Sequence, residues 1–126
     1  MPLPVLVVED DPSTRSLFLA VLQRDGLQCD CAADGAEAIA KLRREQYCAV
    51  VLDLLLPRVN GFEVLQFIRS ERSDTLRRVI VTTSADAATL QHFDARDIWA
   101  LLPKPADIQE FAGIVRACAD HYANEN

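Results

Sequence analysis

Most of the residues in this 126-residue chain that are capable of chemistry stand where a short apolar run stops. Cys48-Ala49-Val50-Val51-Leu52 runs into Asp53, and Leu54-Leu55-Leu56-Pro57 follows. A continuous apolar run of this length is the pattern of a strand buried on both sheet faces, so Asp53 should mark the strand's end. A bare buried charge is costly, and such an acid is paired, holds a cation, reacts, or caps the turn that Pro57 and Gly61 bracket. Leu3 to Val8 is a similar run and delivers Glu9-Asp10-Asp11. Val79-Ile80-Val81 leads to Thr82-Thr83-Ser84, and Ile98 to Leu102 leads to Pro103-Lys104-Pro105. Of the 13 basic residues only Lys41 and Lys104 are lysines, and Lys104 is clamped between prolines.

Gathered at one place, these groups define a chemistry. Glu9, Asp10 and Asp53 repel one another and require a cation, and an all-oxygen site with room for water suits Mg²⁺. The ion would keep Asp53 ionised, with one oxygen free to attack phosphorus, and offset charge on the transferring phosphoryl group. Lys104 offers a compact cation to a second phosphoryl oxygen, and the Thr83 hydroxyl a donor to a third. Singly, each has a plain structural reading: a capping cluster at Glu9-Asp10-Asp11, a turn residue at Asp53, a common strand-end residue at Thr83.

The elements needed to gather them alternate along the chain. Asp11-Pro12-Ser13 has a cap and a first-turn proline for a helix whose apolar pairs are Leu17/Val21 and Phe18/Leu22, closed by Gly26. Leu27 to Ala33 alternates weakly and suits a sheet edge. Asp34-Gly35-Ala36-Glu37 resembles a capping box for a helix through Ala38, Ile39 and Leu42. Phe62, Leu65 and Ile68 mark a third helix. Ala87 to Arg96 is a short fourth, poor in apolar residues, and Ile108, Phe111, Ala112, Val115 and Cys118 mark a fifth. Five βα units imply an α/β fold: a doubly wound, five-stranded parallel sheet with helices on both faces. The two most apolar strands belong in the middle, which fits the flavodoxin-like order 2-1-3-4-5 with its crevice beyond strands one and three.

Composition narrows the function classes. Half of the residues are apolar and the net charge is −6, without a basic run, which argues against a nucleic-acid surface. No stretch approaches the ~20 apolar residues of a membrane span, and the start lacks the pattern of a signal peptide. The expectation is a single cytoplasmic domain over residues 1–126, with no output domain after the fifth helix. Cys29, Cys31, Cys48 and Cys118 lack zinc spacing and read as small thiols. His92 and His121 read as surface or packing residues.

The chain resembles a response-regulator receiver domain over essentially its whole length. The residues that carry the likeness are Val7-Val8-Glu9-Asp10-Asp11-Pro12, Leu52-Asp53-Leu54-Leu55-Leu56-Pro57 with Gly61, Thr83-Ser84, and Lys104-Pro105. The resemblance implies that Asp53 is the phosphoacceptor and that Glu9, Asp10 and Asp53 bind Mg²⁺ with the Leu55 backbone carbonyl. It makes Thr83 the switching hydroxyl and gives Lys104 the phosphoryl contact, through a cis Lys104-Pro105 bond. The donor would be a histidine kinase or a histidine phosphotransfer protein, and the chain would not be an enzyme in its own right. Output would run through a downstream protein or a homodimer, by way of the face formed by helix four, strand five and helix five.

Three other readings compare less well. An aspartyl-nucleophile hydrolase of the haloacid dehalogenase type wants a second Asp where Leu55 stands. A flavodoxin-like phosphate binder wants a hydroxyl- and glycine-rich loop where three acids stand. A receiver-like interaction module without phosphorylation predicts erosion of the acids or the lysine, and none is eroded. The departures from the family lie elsewhere. Leu101 replaces the usual strand-five aromatic, and Asp97-Ile98 replaces a frequent Gly-Ala. Strand parity places Trp99 on the face of Leu101, where it would take over the bulky surface role.

Overall fold

Every second residue of the central strands turns to the same side, and that alternation splits the apolar residues into two cores. The computed structural model describes residues 2–91, 93–104 and 107–123. Its strands are β1 (Val5–Val8), β2 (Cys29–Ala32), β3 (Ala49–Asp53), β4 (Val79–Thr83) and β5 (Ala100–Pro103). They form one parallel sheet in the order β2-β1-β3-β4-β5, as the alternation predicts. Helices α1 (Pro12–Arg24), α2 (Gly35–Arg44), α3 (Gly61–Glu71), α4 (Ala87–Leu90) and α5 (Ile108–Tyr122) fill the connections.

Leu6, Val8, Val50, Leu52, Val79 and Val81 face Ala38 and Leu42 of α2 and Val64, Leu65, Phe67 and Ile68 of α3. Val5, Val7, Ala49, Val51 and Ile80 face Phe18, Val21 and Leu22 of α1 and Phe111, Ala112, Val115 and Cys118 of α5. Phe18 and Phe111 stack with centroids 4.1 Å apart and join α1 to α5, a contact worth about 0.5–1.5 kcal/mol beyond the area it buries. β1, β3 and β4 are buried at every residue. The edge strand β2 is mostly half-buried, as its weak pattern predicts. Its Asp30 is braced by Lys41 Nζ at 2.8 Å and by the Tyr47 hydroxyl at 2.9 Å.

The helix starts follow the expected capping chemistry. Asp11 accepts from the Thr14 N–H and Asp34 from the Glu37 N–H, while Glu37 accepts from the Ala33 N–H. Within α1 the apolar repeat is only half used, because Leu17 stays 52% exposed while Phe18, Val21 and Leu22 are buried. The expected helix over Ala87 to Arg96 is a single turn, Ala87–Leu90, started by Asp86. With so few apolar residues it has little to bury, although Leu90 and Phe93 still reach the α2/α3 core. A 3₁₀ turn at Ser73–Arg78, unforeseen in the sequence, leads directly into β4.

The expected placement of Trp99 is overturned. β5 begins at Ala100, after Asp97 has taken a positive φ of 68°. Trp99 therefore precedes the regular ladder, and the period-two rule does not govern it. Its ring lies on the α1/α5 side against Tyr122 and His121. Leu101 pairs with Val81, whose side chain belongs to the opposite core. His121, on α5, is exposed and stacks edge-on against Tyr122. The four cysteines are free thiols, and burial pushes Cys48 up to about 11 and Cys118 up to about 12. His92 and the Lys104-Pro105 bond lie outside the described residues. Among the described residues no helix is long and apolar enough to cross a membrane.

Candidate functional site

Parallel strands all deliver their C-terminal ends to one rim of the sheet, so Glu9, Asp53, Thr83 and Lys104 arrive there from four strands. Glu9 follows β1 and Asp53 ends β3; they are only 1% and 3% exposed. Asp10, between Glu9 and the cap Asp11, is exposed. Carboxylate oxygens of Glu9, Asp10 and Asp53 all lie within 4.8 Å of one another. Asp11 is not part of that group, because its side chain is spent on the start of α1, accepting from the N–H and hydroxyl of Thr14. The sequence alone does not separate the two neighbouring aspartates.

Lys104 reaches the cluster from the end of β5. Its ammonium donates to Glu9 Oε1 at 2.5 Å and to Asp53 Oδ2 at 3.2 Å. One cation thus holds two buried carboxylates. Burial pushes the Glu9 carboxyl above its usual range, with the Lys104 bond pulling the other way. For Lys104, burial disfavours the ammonium, but its bond to Glu9 and the Asp53 charge outweigh that and hold the pKa above its ordinary value.

The turn after β3 completes the setting. The Leu55 N–H donates to Asp53 Oδ1 at 3.0 Å and orients the carboxylate. The Leu55 side chain is 45% exposed beside it. The carbonyl expected to face a metal belongs to this same residue. Gly61 starts α3 where a Cβ would come within 2.2 Å of the Asp53 carbonyl oxygen, so any side chain there forces the turn away from the acid. Asn60 caps the helix through the Glu63 N–H.

Thr83 is buried at the end of β4, and its hydroxyl accepts from the Ala85 N–H at 3.0 Å. In this geometry the hydroxyl is committed to its own turn. One contributor escaped the sequence reading. Arg15 Nη1 donates to the backbone carbonyl of Glu9 at 2.9 Å and ties α1 to the acidic loop. Its only sequence signal is its position four residues beyond the cap Asp11.

Residues 5–116 match the family model described as the response regulator receiver domain. The chain belongs to that family. Response regulator MprA from Mycobacterium sp. (strain KMS) is 34% identical over 119 residues, covering 93% of this chain and 50% of MprA. Transcriptional regulatory protein TcrA from Mycobacterium tuberculosis (strain ATCC 25618 / H37Rv) is 40% identical over 85 residues, covering 68% of this chain and 33% of TcrA. The receiver domain thus spans half or less of the length of these curated relatives. Among solved structures, response regulator TrrA from Thermotoga maritima in complex with Mg²⁺-BeF superposes with a TM-score of 0.80 at 28% identity, covering 91% of this chain and 97% of TrrA. A CheY-like receiver from Methanospirillum hungatei JF-1 gives a TM-score of 0.84 at 21% identity, covering 96% of each chain, and bears on the fold alone.

The donor set of this receiver domain fits a hard divalent cation. It is all oxygen, it brings three carboxylates within reach of one point, and the exposed Asp10 keeps one side open to water. It also carries more negative charge than the single Lys104 ammonium offsets.

Proposed function

We propose that this receiver domain takes a phosphoryl group from a phosphohistidine onto Asp53 and signals through protein contact. The observation that carries the reading is the Lys104 ammonium held between Asp53 and Glu9 at the open rim of the sheet. Asp53 is buried enough to be oriented, with Leu55 N–H on Oδ1 and Lys104 on Oδ2. An Asp53 oxygen forms the new bond to phosphorus as the phosphorus–nitrogen bond of the donor breaks and its electron pair stays on the imidazole. Bound at Glu9, Asp10 and Asp53, Mg²⁺ supplies a Lewis acid that offsets charge on the phosphoryl oxygens. Lys104 supports the same charge from the β5 side, and Thr83 contributes its hydroxyl once that leaves the Ala85 N–H.

The phosphodonor is a histidine kinase or a histidine phosphotransfer protein. Residues 1–126 act as one unit, and output runs through a protein target or a second copy on the face of α4, β5 and α5. Leu101, 37% exposed, sits on that face and supplies its apolar contact. Family membership and the acidic cluster support this reading.

The test is labelling with acetyl phosphate, followed by intact mass. The wild-type protein should gain one phosphoryl group in Mg²⁺ and none in excess chelator, and Asp53→Asn should gain none. Equal labelling of Asp53→Asn, or labelling in chelator, would show that the acceptor lies elsewhere.

A further inference from the structure

Thr82, the neighbour of the expected switch residue, stands one strand over from Asp53. The register pairs Asp53 with Thr82 and Thr82 with Leu102. Two residues earlier, Val51 and Ile80 both face the α1/α5 core, and Leu102 belongs to the same core. Asp53, Thr82 and Leu102 therefore form a row on one face of the sheet, with neighbouring strands about 4.8 Å apart. Glu9, next after the Val8–Leu52 pair, extends the row on β1. Thr82 is 1% exposed, and its hydroxyl has no hydrogen-bond partner among the described residues. A buried hydroxyl left without a partner costs about 1–3 kcal/mol.

Lys104 gives that hydroxyl a use. Its N–H donates to the Thr83 carbonyl at 2.8 Å, so it continues the β4/β5 ladder two residues past Leu102 and starts on the same face. Its ammonium nevertheless ends on Asp53 of β3 and Glu9 of β1. The side chain must cross β4 to do so, at the level of Thr82. The stronger of its two bonds is to Glu9, and Glu9 is also one of the cation ligands. A cation held by Glu9 competes directly with the ammonium for the same carboxylate. An ammonium released inside this rim needs another acceptor, since an unpaired buried charge is expensive.

We infer that Thr82 is a positioning residue for Lys104: its hydroxyl accepts the ammonium when a divalent cation takes Glu9, and so holds Lys104 beside Asp53. The inference rests on the cation reading of the Glu9–Asp10–Asp53 site. It gives Thr82 a role that differs from that of Thr83, whose hydroxyl is engaged with Ala85.

The experiment compares wild type, Thr82→Val, Thr82→Ser and Thr82→Ala by Mg²⁺ calorimetry and by thermal unfolding in chelator. Thr82→Val keeps the shape and deletes the hydroxyl. Its unfolding temperature in chelator should equal or exceed that of wild type, while its Mg²⁺ affinity falls about tenfold or more, the scale of a lost hydrogen bond to a charged group. Thr82→Ser should stay within about threefold of wild type. Thr82→Ala should unfold earlier and show the same Mg²⁺ loss as Thr82→Val, which separates the hydroxyl from the packing. Unchanged Mg²⁺ affinity in Thr82→Val, or a lower unfolding temperature of that variant in chelator, would overturn the inference. A wild-type protein that binds no Mg²⁺ would instead overturn the cation reading beneath it.

Discussion

Replacing Lys104 with Met tests the central electrostatic claim, because Met keeps most of the apolar stem and removes only the ammonium. In the wild-type site the ammonium lies 2.5 Å from Glu9 Oε1 and 3.2 Å from Asp53 Oδ2. At an effective dielectric of about 20 those attractions come to about 6.6 and 5.2 kcal/mol. The carboxylates, with ligand oxygens within 4.8 Å of each other, repel by at least about 3.5 kcal/mol on the same scale. Desolvation of three charges consumes most of the surplus, so the pair is a modest stabiliser while both partners are present. Removing the cation is a different matter, since it leaves two buried like charges facing each other. Breaking a buried pair in this way costs about 3–5 kcal/mol. For a chain of this size that corresponds to a fall of roughly 12–20 °C in the unfolding temperature. Thermal unfolding in chelator at neutral pH measures it. Millimolar Mg²⁺ should recover much of the loss, because the freed carboxylates bind the ion without competition from the ammonium. Adding Asp53→Asn to Lys104→Met should also recover stability, as only one charge then remains buried. A Lys104→Met protein that unfolds within about 3 °C of wild type in chelator would refute the reasoning, because that is under 1 kcal/mol.

Leu55→Asn should shorten the lifetime of the phosphorylated protein several-fold, because the exposed apolar side chain beside Asp53 cannot orient an attacking water and an amide can; phosphate release after labelling measures this, and an unchanged or slower decay contradicts it. Asp30 lies below its ordinary 3.8, since bonds from Lys41 and Tyr47 outweigh the opposing effect of burial. Its contribution to stability is therefore present above that value and is lost as the pH falls through the lower, folded-state pKa. The gap in unfolding temperature between wild type and Asp30→Asn should accordingly be open near neutrality and close in strong acid, and a gap constant across that range counts against the brace. Trp99→Leu should cost about 1–2 kcal/mol in urea unfolding while leaving the Asp53 labelling rate alone, because the ring packs on Tyr122 and His121 at the far end of α5; slowed labelling would show coupling to the site.

The sequence by itself determined most of the architecture. Two fully apolar runs, Val5–Val8 and Ala49–Leu52, are buried on both faces and sit next to each other in the sheet. The alternating and partly polar Cys29–Ala32 lies at its edge. These outcomes follow from hydrophobic burial and period, which are local properties of a sequence. Glu9, Asp53 and Lys104 were legible as a group for the same reason: a charge at the end of a buried strand has few places to go. Tertiary structure decided what local pattern does not encode. Asp10 and Asp11 are chemically alike and adjacent, but the geometry of the α1 start takes Asp11 as a cap and leaves Asp10 with the cluster. Trp99 follows a left-handed Asp97, and one backbone angle outside the ladder sends its ring to the face opposite the one that parity assigns. Arg15 acquires its place at the site only when α1 docks on the acidic loop. Thr82 acquires its place only when β4 is laid beside β3, because its relation to Asp53 is a register between strands and not a spacing along one of them.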